Sequence, residues 1–254
     1  MNLEKKAISG YLQRKKLLAK GIPIRVTSFG DGFKNRVYYV SASGQSWIVK
    51  QAHSRAQLKE RWWLDRKRIF AEKSCIEVLA QFLAPEIIPE VVLEDRTDFI
   101  LVTTPPPHNS SCWESELANG RIDLQIAVQC GELLATVHNE TAGVPEIKSM
   151  FKDTKAFEQL RIDPHYNFIV QTYPDLKRAV ASRSNRLLKE NICLILGDLR
   201  PRNVWVNNGQ LYLVDFATAH YGNPTFDLAF YAADMCVKAM QNSLQKAAYL
   251  EAIN

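Results

Sequence analysis

A chain of 254 residues with 46% hydrophobic content carries enough apolar material for one large or two modest packed domains, which excludes intrinsic disorder. Its net charge of +5 is modest, and no apolar run approaches the roughly 20 residues that cross a bilayer. Met1 to Lys6 is not followed by the hydrophobic core of a secretory signal, and the five cysteines are scattered without a Cys-x-x-Cys pair, so a cytoplasmic protein with reduced thiols and no membrane partner is expected.

In chain order, the first twenty residues read as an amphipathic helix, with Ala7, Ile8, Leu12, Leu17 and Leu18 broadly on one side, ended by Gly21 and Pro23. Three short β-rich segments follow, residues 24–29, 36–41 and 46–51, separated by glycine-containing turns; they predict an antiparallel meander. A helix is expected over 65–82 and two strands around 91–93 and 99–102. Thr103-Thr104-Pro105-Pro106-Pro107 then breaks the pattern, because consecutive prolines suit neither a helix interior nor a central strand. That break divides the chain into residues 1–104 and 105–254. Helices are expected over 123–139 and 173–189, then a hairpin in which Val204, Val206, Leu211, Leu213 and Val214 flank an Asn207-Asn208-Gly209 turn. A β-rich first half with one helix and a mainly helical second half describe an α+β, two-lobed fold with a ligand cleft between the lobes.

Basic clusters at Arg14-Lys15-Lys16 and over 61–68 fall within helical periodicity and read as solvated faces. Arg61-Trp62-Trp63 with Arg66, Lys67 and Arg68 has the basic and stacking groups that nucleic acid requires. No recognised nucleic-acid motif accompanies them, so a nucleic-acid partner is not expected.

The chemistry concentrates in Gly197-Asp198-Leu199-Arg200-Pro201-Arg202-Asn203 and in Asp215-Phe216. An Asp, an Asn five residues on and a second Asp beyond a short hairpin have the spacing of a phosphoryl-transfer loop. In such a transfer the protein positions groups and neutralises charge. One carboxylate meets the acceptor hydroxyl, while a carboxamide and a second carboxylate hold a metal ion against the phosphates. Asp198 fits the first role, and Asn203 and Asp215 the second. Arg200 can reach the transferred phosphate with a permanent charge. Either aspartate alone reads more readily as a turn cap; the ordered set does not.

The first half should then hold the nucleotide. Gly30, Gly32 and Asn35 lie in a loop between two expected strands, where backbone amides can approach phosphate oxygens. Lys50 closes Trp47-Ile48-Val49-Lys50, the strand position of a lysine that contacts the α- and β-phosphates. Its expected partner is Glu72, near the edge of the apolar stripe Ile69, Ile76, Ala80 and Leu83, with Glu77 farther round. Adenine is expected along residues 101–104, Thr103 among them, where backbone groups can hydrogen-bond the base; the phosphoryl-transfer reading carries with it ATP and Mg2+ as the expected nucleotide and metal.

With these residues in place, the chain resembles the aminoglycoside phosphotransferase and choline-kinase-like family of small-molecule kinases, over about residues 21–230. Gly131-Glu132-Leu133-Leu134-Ala135-Thr136-Val137-His138 is similar to that family's helix ending in Leu-Ala-x-x-His. Tyr221-Gly222-Asn223-Pro224-Thr225-Phe226-Asp227-Leu228-Ala229 is similar to its Gly-Asp-Pro-x-x-Asp-Leu-Ala segment. The resemblance implies a protein-kinase-like fold, transfer of the γ-phosphoryl group of ATP to a hydroxyl of a small molecule (a sugar, amino sugar or amino alcohol), and an Asp227 that holds the catalytic loop. Three departures stand out. Leu196 replaces the family's usual histidine, Ala217 follows Asp215-Phe216 where a glutamate is usual, and 27 residues follow Asp227 where members generally continue through helices that wall the acceptor pocket. They feed a rival reading, a catalytically inactive kinase-like module that binds nucleotide or a partner. Glu114, Glu116 and Asp163 could meet an amino group on an acceptor but read as surface acids, and no feature specifies an oligomeric state.

Overall fold

In the computed structural model the described residues are 3–29, 35–53 and 63–253; Gly30, Gly32, Arg61 and Trp62 lie outside them. The expected twenty-residue opening helix is shorter, a 3-10 turn at Lys5–Ala7 followed by α1, Ile8–Arg14. It stops because Lys16 takes a left-handed conformation (φ 61°), so that Leu17 N–H returns to Leu12 O at 2.9 Å and Lys16 N–H to Gln13 O at 3.0 Å. Those two bonds are a Schellman closure, which satisfies the last carbonyls of the helix.

The expected meander is present as β1 (Arg25–Ser28), β2 (Asn35–Ala42) and β3 (Gln45–Ala52), joined by β4 (Val91–Asp95) and β5 (Ile100–Thr103). All pairings are antiparallel, in the order β1-β2-β3-β5-β4. Alternation along β2 turns Tyr38, Val40 and Ala42 inward, where they meet Trp47, Val49, Ile100 and Val102, and α1 covers them with Ile8, Tyr11 and Leu12. Helix α2 (Arg68–Leu79) is shorter at both ends than the expected 65–82. Asp65 accepts from Lys67 N–H at 2.9 Å, which makes residues 65–67 a turn rather than helix and leaves Arg66 and Lys67 outside the helical stretch expected for the basic cluster.

Beyond the prolines come β6 (Ser111–Cys112), α3 (Trp113–Ala118) and α4 (Leu124–Thr141), the last capped by Asp123, which accepts from Gln125 N–H at 2.9 Å. Then follow α5 (Pro145–Met150), α6 (Lys155–Phe157), a π-helical segment Glu158–Asn167, α7 (Phe168–Thr172) and α8 (Lys177–Lys189). The expected helix over 173–189 starts late because Pro174 opens a separate 3-10 turn, Pro174–Leu176. The remaining elements are β7 (Cys193–Ile195), β8 (Val204–Asn207), β9 (Gln210–Leu213), β10 (His220–Gly222), α9 (Thr225–Gln241) and α10 (Lys246–Glu251). Strands β6, β8 and β9 form one antiparallel sheet, and β7 pairs with β10. A large core joins the C-terminal half of α2 to α3, α4 and the β8–β9 hairpin, with Leu79, Trp113, Leu117, Ile126, Val137 and Val204 fully buried. This is the expected two-lobed α+β arrangement. No helix among the described residues is long and apolar enough to cross a membrane.

In the β8–β9 turn Asn207 pairs with Gln210, and Asn208 (φ 50°) and Gly209 (φ 76°) are both left-handed, the geometry that matches strand twist. Gly209→Ala is expected to lower stability by about 1 kcal/mol, the cost of a side chain in that region. Urea denaturation checks it: the midpoint should fall with the slope unchanged.

Candidate active site

The loop between β7 and β8 is held from behind by a charge. Asp227, in the first turn of α9 and wholly buried, accepts from Gly197 N–H at 2.7 Å and Leu196 N–H at 2.9 Å. His138, on α4, brings Nε2 to 3.1 Å from the same carboxylate. Gly197 is left-handed (φ 72°), and a Cβ there would meet Thr218 O at 2.8 Å, so only glycine fits. The side chain of Leu196 packs into the large core.

Asp198 follows directly and is 3% exposed. Arg161 Nη2 lies 2.5 Å, and Arg200 Nε 3.1 Å, from its Oδ1. Asn203 ends the 3-10 turn Pro201–Asn203; its Nδ2 donates to Asp198 O at 2.8 Å, and its carbonyl accepts from Val214 N–H at 3.0 Å. The hairpin therefore returns Asp215 to Asn203. Asp215 itself is left-handed at φ 68°, an uncommon state for a residue with a Cβ and one that clusters at functional sites.

Lys50 reaches this loop from β3. Its Nζ is 2.6 Å from Glu72 Oε1 and 3.5 Å from Asp215 Oδ1. Burial works against the ammonium, but the charges of Asp215 and Glu72 and the hydrogen bonds to them outweigh it and hold Lys50 well above the ordinary lysine range. Glu77 is occupied elsewhere, 2.6 Å from Lys73 in the same helix. One turn before Glu72, the buried Arg68 donates to Asn35 Oδ1 at 2.9 Å and to the carbonyls of His53 (3.0 Å) and Asp65 (2.7 Å). Thr103 is buried and pairs with Ile48 and Val91, and Thr104 N–H is already bonded to Glu90 O at 3.0 Å.

A cleft of about 450 Å³ is lined by Asn35, Lys50, Glu72, Thr103, Asp198, Arg200, Asn203 and Asp215, which brings together every described residue the sequence singled out for the site. Three further residues of the site, two of them lining the cleft, had no such signal. Phe29 and Trp205, from opposite halves of the chain, stack in the cleft with ring centroids 5.3 Å apart. Arg161 comes from the π-helical segment, more than thirty residues before the loop it touches. Of the acidic residues considered for an acceptor, Glu114 lines the cleft, yet Lys238 (3.1 Å) and Arg202 (3.6 Å) already pair with it. Glu116 accepts from Ser111, and Asp163 accepts from Asn167 at 2.8 Å on the surface.

Known proteins share this architecture. The model of the phosphotransferase enzyme family matches residues 25–252. A methylthioribose kinase of Geobacillus sp. (strain WCH70) is 24% identical, over 91% of this chain and 64% of that protein. A methylthioribose kinase of Pectobacterium atrosepticum is 28% identical, over 81% and 58%. The chain thus spans less than two thirds of the length of these relatives. Among solved structures, a choline/ethanolamine kinase family protein from Mesorhizobium loti superposes with a TM-score of 0.59 at 16% identity, covering 96% of this chain and 76% of that one. That likeness is one of fold.

Asp227→Asn replaces one acceptor oxygen by a donor and leaves a buried backbone N–H unpaired. The expected cost is about 1.5–3 kcal/mol, the worth of a hydrogen bond to a charged group, read as a lower urea midpoint.

Proposed function

We infer the reaction from one fact and one geometry: the chain belongs to the phosphotransferase enzyme family, and in its cleft the Lys50 ammonium is held between Glu72 and Asp215. We propose that the protein transfers the γ-phosphoryl group of ATP, with Mg2+, to a hydroxyl of a small molecule. The Lys50–Glu72–Asp215 cluster carries this reading, because it joins three separate segments around a cation kept charged for phosphate.

Lys50 neutralises the α- and β-phosphates, and Glu72 fixes its direction. Asp215 and Asn203 suit Mg2+, a hard cation that takes one or two protein oxygens beside phosphate oxygens. Asn203 directs its Nδ2 to the Asp198 carbonyl, which makes its Oδ1 the atom for a cation. The ion, when bound, neutralises charge on the phosphates. Asp198 orients the acceptor hydroxyl and takes its proton as the oxygen attacks the γ-phosphorus and the bond from that phosphorus to the departing ADP breaks; Arg200, beside it, offsets charge on the transferred group. Phe29 and Trp205 supply flat apolar surface for the base.

The departures at Leu196 and Ala217 do not favour an inactive module. Leu196 gives the loop its backbone N–H, and Ala217 is buried, so neither removes a group from the cleft. A neutral sugar is the favoured acceptor. The relatives are methylthioribose kinases, and Glu114, already paired with two cations, is not poised for an ammonium group.

ADP release with Mg-ATP across sugars, thioribosides, amino alcohols and aminoglycosides tests the reading. Asp198→Asn should keep Mg-ATP binding and lose transfer by at least about a hundredfold, the lower range for a positioned acid–base group. Asp215→Asn should weaken the Mg2+ dependence of nucleotide binding. Absence of any rise in Tm with millimolar ATP, with or without Mg2+, would sink the proposal.

A further inference from the structure

Arg161 is buried at 4% exposure and lies outside every sequence motif of the site. Its guanidinium is engaged on the loop that carries Asp198. Nε donates to Gly197 O at 2.7 Å, Nη2 lies 2.5 Å from Asp198 Oδ1, and the guanidinium carbon sits 4.9 Å from the ring centroid of Phe230. The fourth contact, Nη1 to Leu160 O at 2.7 Å, has a cause in the sequence. Pro164 stands four residues after Leu160. It has no N–H to give that carbonyl in an α-helical turn, and its ring would clash with it. The segment widens to π geometry, a form that recurs at functional sites, and the Leu160 carbonyl accepts from Arg161.

We propose that Arg161 is a positioning residue for Asp198, fixing its carboxylate and the carbonyl before it in the orientation that meets the acceptor hydroxyl; this rests on the phosphotransferase reading. Arg200 touches the same oxygen, but its side chain is 23% exposed against 5% for Arg161. Arg200 can therefore turn to an incoming phosphate while Arg161 stays. A lysine cannot replace this contact, because only a planar fork reaches Gly197 O and Asp198 Oδ1 together while stacking on a ring.

The test compares Arg161→Met and Arg161→Lys with the wild type by Mg-ATP calorimetry, by ADP release with an acceptor and with water alone, and by crystal structures. Both variants should bind Mg-ATP within about threefold of wild type, because Arg161 meets the loop at Gly197 and Asp198. In Arg161→Met kcat should fall at least about 30-fold with the acceptor KM nearly unchanged, as expected when a reacting group is misplaced by about 1 Å. Arg161→Lys should recover little of that loss. The Asp198 carboxylate should be displaced in the variant structures while Asp227 still holds the loop backbone. A kcat within about threefold of wild type, or a loss of Mg-ATP affinity in step with kcat, overturns the proposal. Should Arg161→Met fail to fold, Arg161→Lys decides by the same criteria. If the wild type binds Mg-ATP yet turns over neither acceptor nor water, the phosphotransferase reading fails alone. The position of the Asp198 carboxylate in the variants then still decides, and an unmoved carboxylate refutes the proposal.

Discussion

The arrangement of the cleft depends on one buried carboxylate. Asp227 has no solvent exposure, and a charge so placed is tolerable only when its lone pairs are filled. Two backbone amides and an imidazole fill them. The same bonds tie α9, α4 and the loop into one unit, and the β7–β10 pair holds the strand before that loop against the strand before α9. Where Asp198 points is thus set largely by residues that never face the cleft.

Within that frame, charges are matched in small groups rather than spread. Lys50 lies between two carboxylates, Asp198 between two guanidiniums, and Glu114 between Lys238 and Arg202. Matched groups lower the cost of holding charge in a confined site, though isolated pairs of this kind add little net stability. Their value is geometric: each fixes where a carboxylate or cation stands before a ligand arrives, which reduces the reorganisation left for the reaction itself.

Local signals were the readable ones. The β8–β9 hairpin followed from an Asn-Gly turn between alternating apolar residues, and helical periodicity singled out Glu72, whose carboxylate lies 2.6 Å from Lys50. Motif spacing assembled Asp198, Asn203 and Asp215 because they lie on one short loop and just past the hairpin that follows it. What escaped was set by distant partners. Strands β7 and β10 have three residues each and exist because they find one another across the β8–β9 hairpin. Arg161 carries no local sign of its contact with Gly197, and the proline after it contradicts the regular helix pattern by which such residues are found. Phe29 and Trp205 lie in separate expected strands and meet only when the two halves of the chain come together. The early end of α1 turned on a left-handed lysine, a choice that helix periodicity does not encode.

The spacing of the Lys50 cluster also has a consequence for the order in which the molecule is built. Lys50 and Glu72 are 22 residues apart, whereas Lys50 and Asp215 are separated by 165. Closing the second loop costs more chain entropy and brings together segments made far apart in time during synthesis. The N-terminal sheet with α2 can assemble a lysine–glutamate pair well before the third partner leaves the ribosome. The cleft is therefore a late product of folding, and incompletely folded chains, lacking Asp215 in place, do not yet present the complete Lys50 cluster.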